Sequence, residues 1–290
     1  MKSAILAFAL VLATAAYARA ATTIPLIDLG DGHFGVNVSV GGSAPQLFAI
    51  DTGAGANYAS AALAKALKLQ TIGTYDYVTF NGRHFLTPIV ELAPLAVGAA
   101  ALPGGSAIRF EGFDRMGLPS LLTAPAFANA PVTFDLGKHT MILEDPTSLA
   151  ARVRGLKRIP LTLKRDGPIF LLPLVDVDFG NGQHGRCIID TGSGSTMLNA
   201  RYMAAFGLKP DDPNVQSQVT NQPSGKIRQS FAKIPKVELQ ADPAMHAVPN
   251  VGFQEAPDGK DDCQLGNDFW TGKIFTLDLA SGALYVAPSH

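Results

Sequence analysis

Two stretches of this 290-residue chain bring a short apolar run to an abrupt end in the same tripeptide. The first is Leu47-Phe48-Ala49-Ile50-Asp51-Thr52-Gly53-Ala54-Gly55, and the second is Arg186-Cys187-Ile188-Ile189-Asp190-Thr191-Gly192-Ser193-Gly194. An internal repeat constrains a fold more than any single motif, because both halves must build the same unit. The agreement continues at fixed offsets. Ser60 and Asn199 each lie nine residues after their Asp, and Leu69 and Leu208 each lie eighteen after it. Ser and Asn are good helix N-caps, so a short helix is expected over Ala61–Leu67 and another over Ala200–Phe206, with Gly207 as its stop.

The halves also begin and end alike. Phe34–Val40 and Leu171–Val177 are strand-like runs ahead of each Asp. Val132-Thr133-Phe134-Asp135-Leu136 is matched by Phe275-Thr276-Leu277-Asp278-Leu279, each followed by a turn and a second apolar strand. Apolar runs of this length, with alternation in the terminal hairpins, predict an all-β, two-lobed chain. One short helix follows each Asp-Thr-Gly loop. The lobes are expected at residues 21–150 and 151–290, with the join inside Glu144–Ile159. Pro146 and the basic residues of Arg152–Arg158 suit a solvated surface crossing there.

Residues 1–20 are read separately. Lys2 precedes the apolar run Ile5–Ala16, and Ala18-Arg19-Ala20 offers the small-x-small pattern of a signal peptidase site. A secretory signal peptide is expected, its run being short for a bilayer span. The mature chain is therefore expected to be secreted or periplasmic. Its removal takes away Lys2 and Arg19, leaving 21 basic against 24 acidic residues, a net charge of -3. Nothing in that balance suggests a nucleic-acid partner. The six histidines are scattered without metal-site spacing, and no phosphate-binding glycine loop follows a first strand. No cofactor and no metal are expected. Cys187 and Cys263, the only cysteines, either bridge in an oxidising compartment or fill space as buried thiols.

At this point the chain resembles the aspartic peptidases, the pepsin-like and retropepsin-like superfamily. The resemblance rests on Asp51-Thr52-Gly53-Ala54 and Asp190-Thr191-Gly192-Ser193 behind their hydrophobic strands. Met116-Gly117 and Leu265-Gly266 look like the hydrophobic-Gly element that follows in each lobe. Leu265-Gly266-Asn267-Asp268-Phe269 followed by Phe275-Thr276-Leu277-Asp278 is similar to the end of a bacterial retropepsin-like domain. On this alignment Gly117 to Asp135 spans eighteen residues and Gly266 to Asp278 twelve, so Leu122–Ala130 reads as an insertion.

The resemblance implies a bilobed pepsin-like or tandem retropepsin-like acid protease fold, similar to a fused retropepsin dimer. It also implies an endopeptidase whose catalytic pair is Asp51 and Asp190. Two carboxylates a few ångströms apart cannot both ionise cheaply, so they share one proton. The ionised member takes a proton from a water held between them, and the protonated member donates to the scissile carbonyl oxygen. Thr52 and Thr191 are expected to grip backbone across the lobe boundary, while Gly53 and Gly192 let the backbone approach the carboxylates. Ser193 can offer a hydroxyl to Asp190 where Ala54 cannot to Asp51, which favours Asp190 as the ionised member. A flap is expected at Tyr75–Phe85, with Tyr75 and Tyr77 as cleft-covering aromatics and Asn81-Gly82 as a type I′ turn. Ser217–Phe231 is either a second flap or a long polar surface loop. The hydrophobic-Gly element would run beside the Asp190 strand, which implies a Cys187–Cys263 disulfide. The expected partner is a polypeptide substrate between the lobes of a monomer. The alternative is a catalytically inactive peptide- or protein-binding member of the same fold.

Overall fold

The computed structural model describes residues 21–78, 84–167, 169–222, 225–247, 250–254 and 262–289. The signal peptide expected at 1–20 and the Asn81-Gly82 turn lie outside the described residues. None of the described helices is long and apolar enough to cross a membrane.

The duplication is carried into the sheets strand for strand. From the outer edge, the first lobe's sheet runs Thr71–Val78, His84–Leu92, Gly105–Phe110, Tyr58–Ser60, Ser120–Thr123, Gln46–Asp51, His33–Val40, Leu95–Val97, Ala100–Leu102. The second lobe's runs Gln216–Gln222, Gly225–Lys233, Asn250–Gln254, Met197–Asn199, Cys263–Leu265, Gln183–Ile189, Phe170–Gly180, Val237–Leu239, Asp242–Ala247. Ile27–Gly30 pairs with the His33 strand, and Thr162–Asp166 pairs with the Phe170 strand. Ser217–Phe231 is therefore largely a hairpin, at the position that Thr71–Leu92 holds in the first lobe.

The strand that delivers each Asp is buried by its own composition. Phe48 and Ile50, like Cys187 and Ile189, are at most 2% exposed. In each lobe that strand is flanked on one side by a parallel neighbour: Leu122 lies opposite Ile50, and Leu265 opposite Ile189. This register corrects the alignment of the first lobe. The counterpart of Leu265-Gly266 is Leu122-Thr123, not Met116-Gly117. Thr123 to Asp135 is twelve residues, as is Gly266 to Asp278, so there is no insertion. Met116 instead ends a helix and is 40% exposed.

After the Asp51 loop, Ser60 accepts from Leu63 N and caps α1, Ala61–Ala66. α2, Glu111–Met116, packs beside it, and the Asp114 carboxylate accepts from Ala61 N and Ala62 N. In the second lobe Asn199 caps at the expected place, but the chain forms two 3-10 turns, Ala200–Tyr202 and Ala204–Phe206, ended by Gly207. The connector is more structured than a solvated crossing. Pro146–Arg152 forms α3, capped by Asp145, and the Arg152 Nε pairs with the buried Glu144 carboxylate. α4, Asn267–Trp270, follows Gly266.

A third, six-stranded sheet joins the lobes, in the order Thr22–Pro25, Thr140–Leu143, Val132–Asp135, Lys273–Asp278, Ala283–Pro288, Ile159–Pro160. At its centre Val132 lies opposite Leu277, Thr133 opposite Thr276 and Phe134 opposite Phe275. Thr133 thus meets its own repeat mate, hydroxyl to hydroxyl at 2.7 Å, which marks a pseudo-twofold axis. The stacked rings of Phe134 and Phe275 lie beside it, with centroids 5.0 Å apart.

Candidate active site

The two Asp-Thr-Gly loops meet across this axis. Thr52 N donates to Thr191 Oγ1 at 3.0 Å, and Thr191 N donates to Thr52 Oγ1 at 3.1 Å. Each hydroxyl donates in turn to the strand under the opposite Asp: Thr52 Oγ1 to Ile189 O at 2.6 Å, and Thr191 Oγ1 to Ile50 O at 3.2 Å. Both threonines are at most 2% exposed, so these four bonds form away from water.

The glycines face the opposite carboxylates. A Cβ on Gly53 would stand 2.4 Å from Asp190 Cγ, and one on Gly192 would stand 2.2 Å from Asp51 Cγ. No side chain fits at either position. Gly53 N donates to Asp51 Oδ1 at 3.0 Å, and Gly192 N donates to Asp190 Oδ1 at 2.9 Å. Gly53 thus touches both carboxyl groups, and so does Gly192, which sets the two side by side.

Burial raises the pKa of both. Asp190 is held well above the usual carboxylate range, by burial first and by the Asp51 charge second, with only the Gly192 amide opposing. Asp51 is also raised by burial, but the neighbouring Asp190 carboxyl, the Gly53 and Ala54 amides and the His33 charge all favour its ionised form. The hydroxyl bond expected from Ser193 to Asp190 does not form. The reason is local: the Ser193 hydroxyl donates to Ser195 O at 2.7 Å rather than to Asp190.

Each lobe also sends a hairpin turn onto the other's loop. Phe170 covers Gly55, and Leu171 N donates to Gly55 O at 2.8 Å. On the opposite side Asp31 O lies against Gly194. Asn267 ties this second contact down, its Nδ2 donating to Gly32 O at 2.7 Å and to Thr191 O at 2.9 Å. Asn267 carried no role in the sequence reading. Its signal was its place directly after Leu265-Gly266, the strand end beside Asp190.

Tyr75 is half-buried and packs with Ala54 and Ile169 on a cluster built from Tyr58, Phe110 and Phe113, beside the Asp51 loop. Its hydroxyl pKa is raised by burial and by the charges of Asp166 and Asp76. The Tyr77 side chain lies outside the described residues. Cys187 and Cys263 stand opposite each other in parallel strands and form a disulfide. Among the described residues no His, Cys, Asp and Glu gather as a metal-binding group.

The comparisons agree with this architecture. A family model described as aspartyl protease matches residues 175–269, which contain the Asp190 loop and reach α4. Among solved structures, the crystal structure of basic 7S globulin from soybean has a similar fold, with a TM-score of 0.54 at 12% identity, covering 93% of this chain and 95% of that one. No curated protein matches the sequence. The class is a mostly β, two-lobed fold in which part of the second lobe is similar to the aspartyl protease family. Within it, the family match lies in the second lobe, and the first lobe repeats that lobe's strand order.

Proposed function

We propose that the protein is an aspartic-type endopeptidase that takes a polypeptide between its lobes and hydrolyses it with a water activated by Asp51 and Asp190. One observation carries this reading: the Asp51 and Asp190 carboxyls, one from each lobe, are set side by side by Gly53 and Gly192, and both are raised above their ordinary pKa. Such a pair holds one proton over a wide pH range. The ionised member then accepts a proton from water, and the protonated member donates its own to the scissile carbonyl oxygen. The Thr52 and Thr191 bonds keep the separation of the pair from drifting. A hairpin at the same place in each lobe supports a fused retropepsin-like arrangement with two flaps. On this reading the enzyme works as a monomer after export, secreted or periplasmic.

A second reading is a peptide- or protein-binding member of the same fold without turnover. The comparisons taken alone favour it over catalysis, because they reach the fold and the family relation but not an activity.

The test is cleavage of an unfolded, labelled polypeptide from acid to neutral pH by the parent, Asp51→Asn and Asp190→Asn. Each substitution keeps volume and removes proton exchange, and is expected to lower turnover at least about a hundredfold. Turnover within two-fold of the parent in either variant would remove the pair from the mechanism. A parent that binds the polypeptide at every pH but never cleaves it selects the second reading.

A further inference from the structure

On the far side of the first lobe's sheet from the cleft cluster lies a pocket of about 440 Å³, between α1 and the strand Gly105–Phe110. Its charged lining is Lys65, Lys68, Arg109 and Glu111, over an apolar floor that includes Leu69 and Val90. Strand alternation puts Arg109 there. Ile108 and Phe110 on either side of it are buried in the cleft-side aromatic cluster, so the residue between them points to the opposite face.

We propose that this pocket binds a phosphate-class oxyanion. Three observations converge. Arg109 Nε is shielded from water and has no hydrogen-bond partner, although a guanidinium N–H normally finds an acceptor when desolvated. None of Lys65, Lys68 and Arg109 forms an ion pair with a described residue. Three cations against the single carboxylate of Glu111 leave an excess of two positive charges in one concavity, which a dianion neutralises.

The backbone holds one of these cations in an unusual place. Leu69 N donates to Ala64 O and Lys68 N to Lys65 O, closing α1 with paired bonds around a left-handed residue. That residue is Lys68, with φ 51°, where glycine is the usual occupant. The turn thereby sets Lys68 and Lys65 on one rim while Arg109 rises from the floor. The arginine's planar fork suits two oxygens of one tetrahedral anion, and the lysines act as point charges around it. The ligand's phosphate is either a free anion or the headgroup of a lipid, and the chemistry of the pocket is the same for both.

Isothermal titration calorimetry of the exported chain with sodium phosphate, against sodium chloride at equal ionic strength, tests the site. A saturating heat with one site per chain is expected for the parent. It should be lost in Arg109→Gln and in the double variant Lys65→Gln/Lys68→Gln, whose exposed positions leave folding intact. Thermal stabilisation by phosphate is not sufficient by itself, because phosphate also stabilises proteins by exclusion from their surface. Sedimentation with phosphatidic acid vesicles, with and without competing phosphate, separates the two sources. Vesicle binding that the lysine variant loses assigns a lipid headgroup, and phosphate heat without vesicle binding assigns a free anion. No saturating heat in the parent, or equal heat in the lysine variant, overturns the proposal. The readout does not involve Asp51 or Asp190, so it stands or fails independently of peptidase activity.

Discussion

The raised pKa of Asp190 has a consequence for stability. Its carboxyl is raised well above the usual range by burial and by Asp51, whereas in the unfolded chain it ionises near its ordinary value of about 4. Between those two values the folded state holds more protons than the unfolded one, so its contribution to stability falls as pH rises through that window. Asp190→Asn removes the charge and keeps an N–H donor. It is expected to melt at a higher temperature than the parent at neutral pH, with the difference shrinking in acid below the unfolded pKa. Thermal unfolding across a pH series measures this, and a variant that melts lower at neutral pH contradicts it. Thr52 and Thr191 act in the opposite sense. Thr52→Val strips a donor from Ile189 O and an acceptor from Thr191 N, both in the interior. Two stranded backbone groups cost about 2–5 kcal/mol. Thr191→Val should cost a similar amount, and the double variant clearly less than the sum, because all four bonds form one network. Additive denaturant midpoints would show that the two threonines act separately.

At the scale of elements, the disulfide ties the Asp190 strand to its parallel neighbour across 76 residues of sequence. In a chain-entropy account, closing such a loop contributes about 4 kcal/mol. Cys187→Ala/Cys263→Ala should therefore lower the melting temperature while leaving both carboxyl groups and the threonine network in place. The non-reduced, unfolded parent should show no titratable thiol, and two thiols per chain would exclude the bridge. Much at this scale was legible in the chain. The Asp-delivering strands, the caps Ser60 and Asn199, the stop at Gly207 and the terminal hairpins all rest on contacts within a few residues. The second lobe's post-Asp helix came out as 3-10 turns, and Met116-Gly117 proved to be a helix end rather than the partner of Leu265-Gly266. A hydrophobic-Gly dipeptide is too short to tell those two roles apart. Only the strand register placed Leu122 beside Ile50.

The lobes do not behave as beads on a string. Their central strands Val132–Asp135 and Lys273–Asp278 pair directly, and Ile24 from the first strand and Val286 from the last belong to one continuous core. A protein joined in this way should unfold in a single cooperative transition. A single nick in the segment between α3 and Ile159 should leave one particle under native conditions, because the six-stranded sheet and the paired threonines still hold the halves. Two separable halves after nicking, seen by size-exclusion chromatography, would contradict that view of the joint.

What the sequence by itself determined was the repeated unit: two strands ending in Asp-Thr-Gly, two caps at the same offset, two closing hairpins. Those features depend on the period of apolar residues and on short-range capping, which a linear chain displays directly. The tertiary structure decided how the two units use each other. Thr52 and Thr191 are 139 residues apart, and their mutual bonds exist only because a pseudo-twofold axis passes between them. The same holds for Asn267 reaching Gly32 and for Phe170 lying over Gly55. It holds also for Ser193. Its place next to Asp190 suggested a bond to that carboxyl, but its hydroxyl is bonded to Ser195 O.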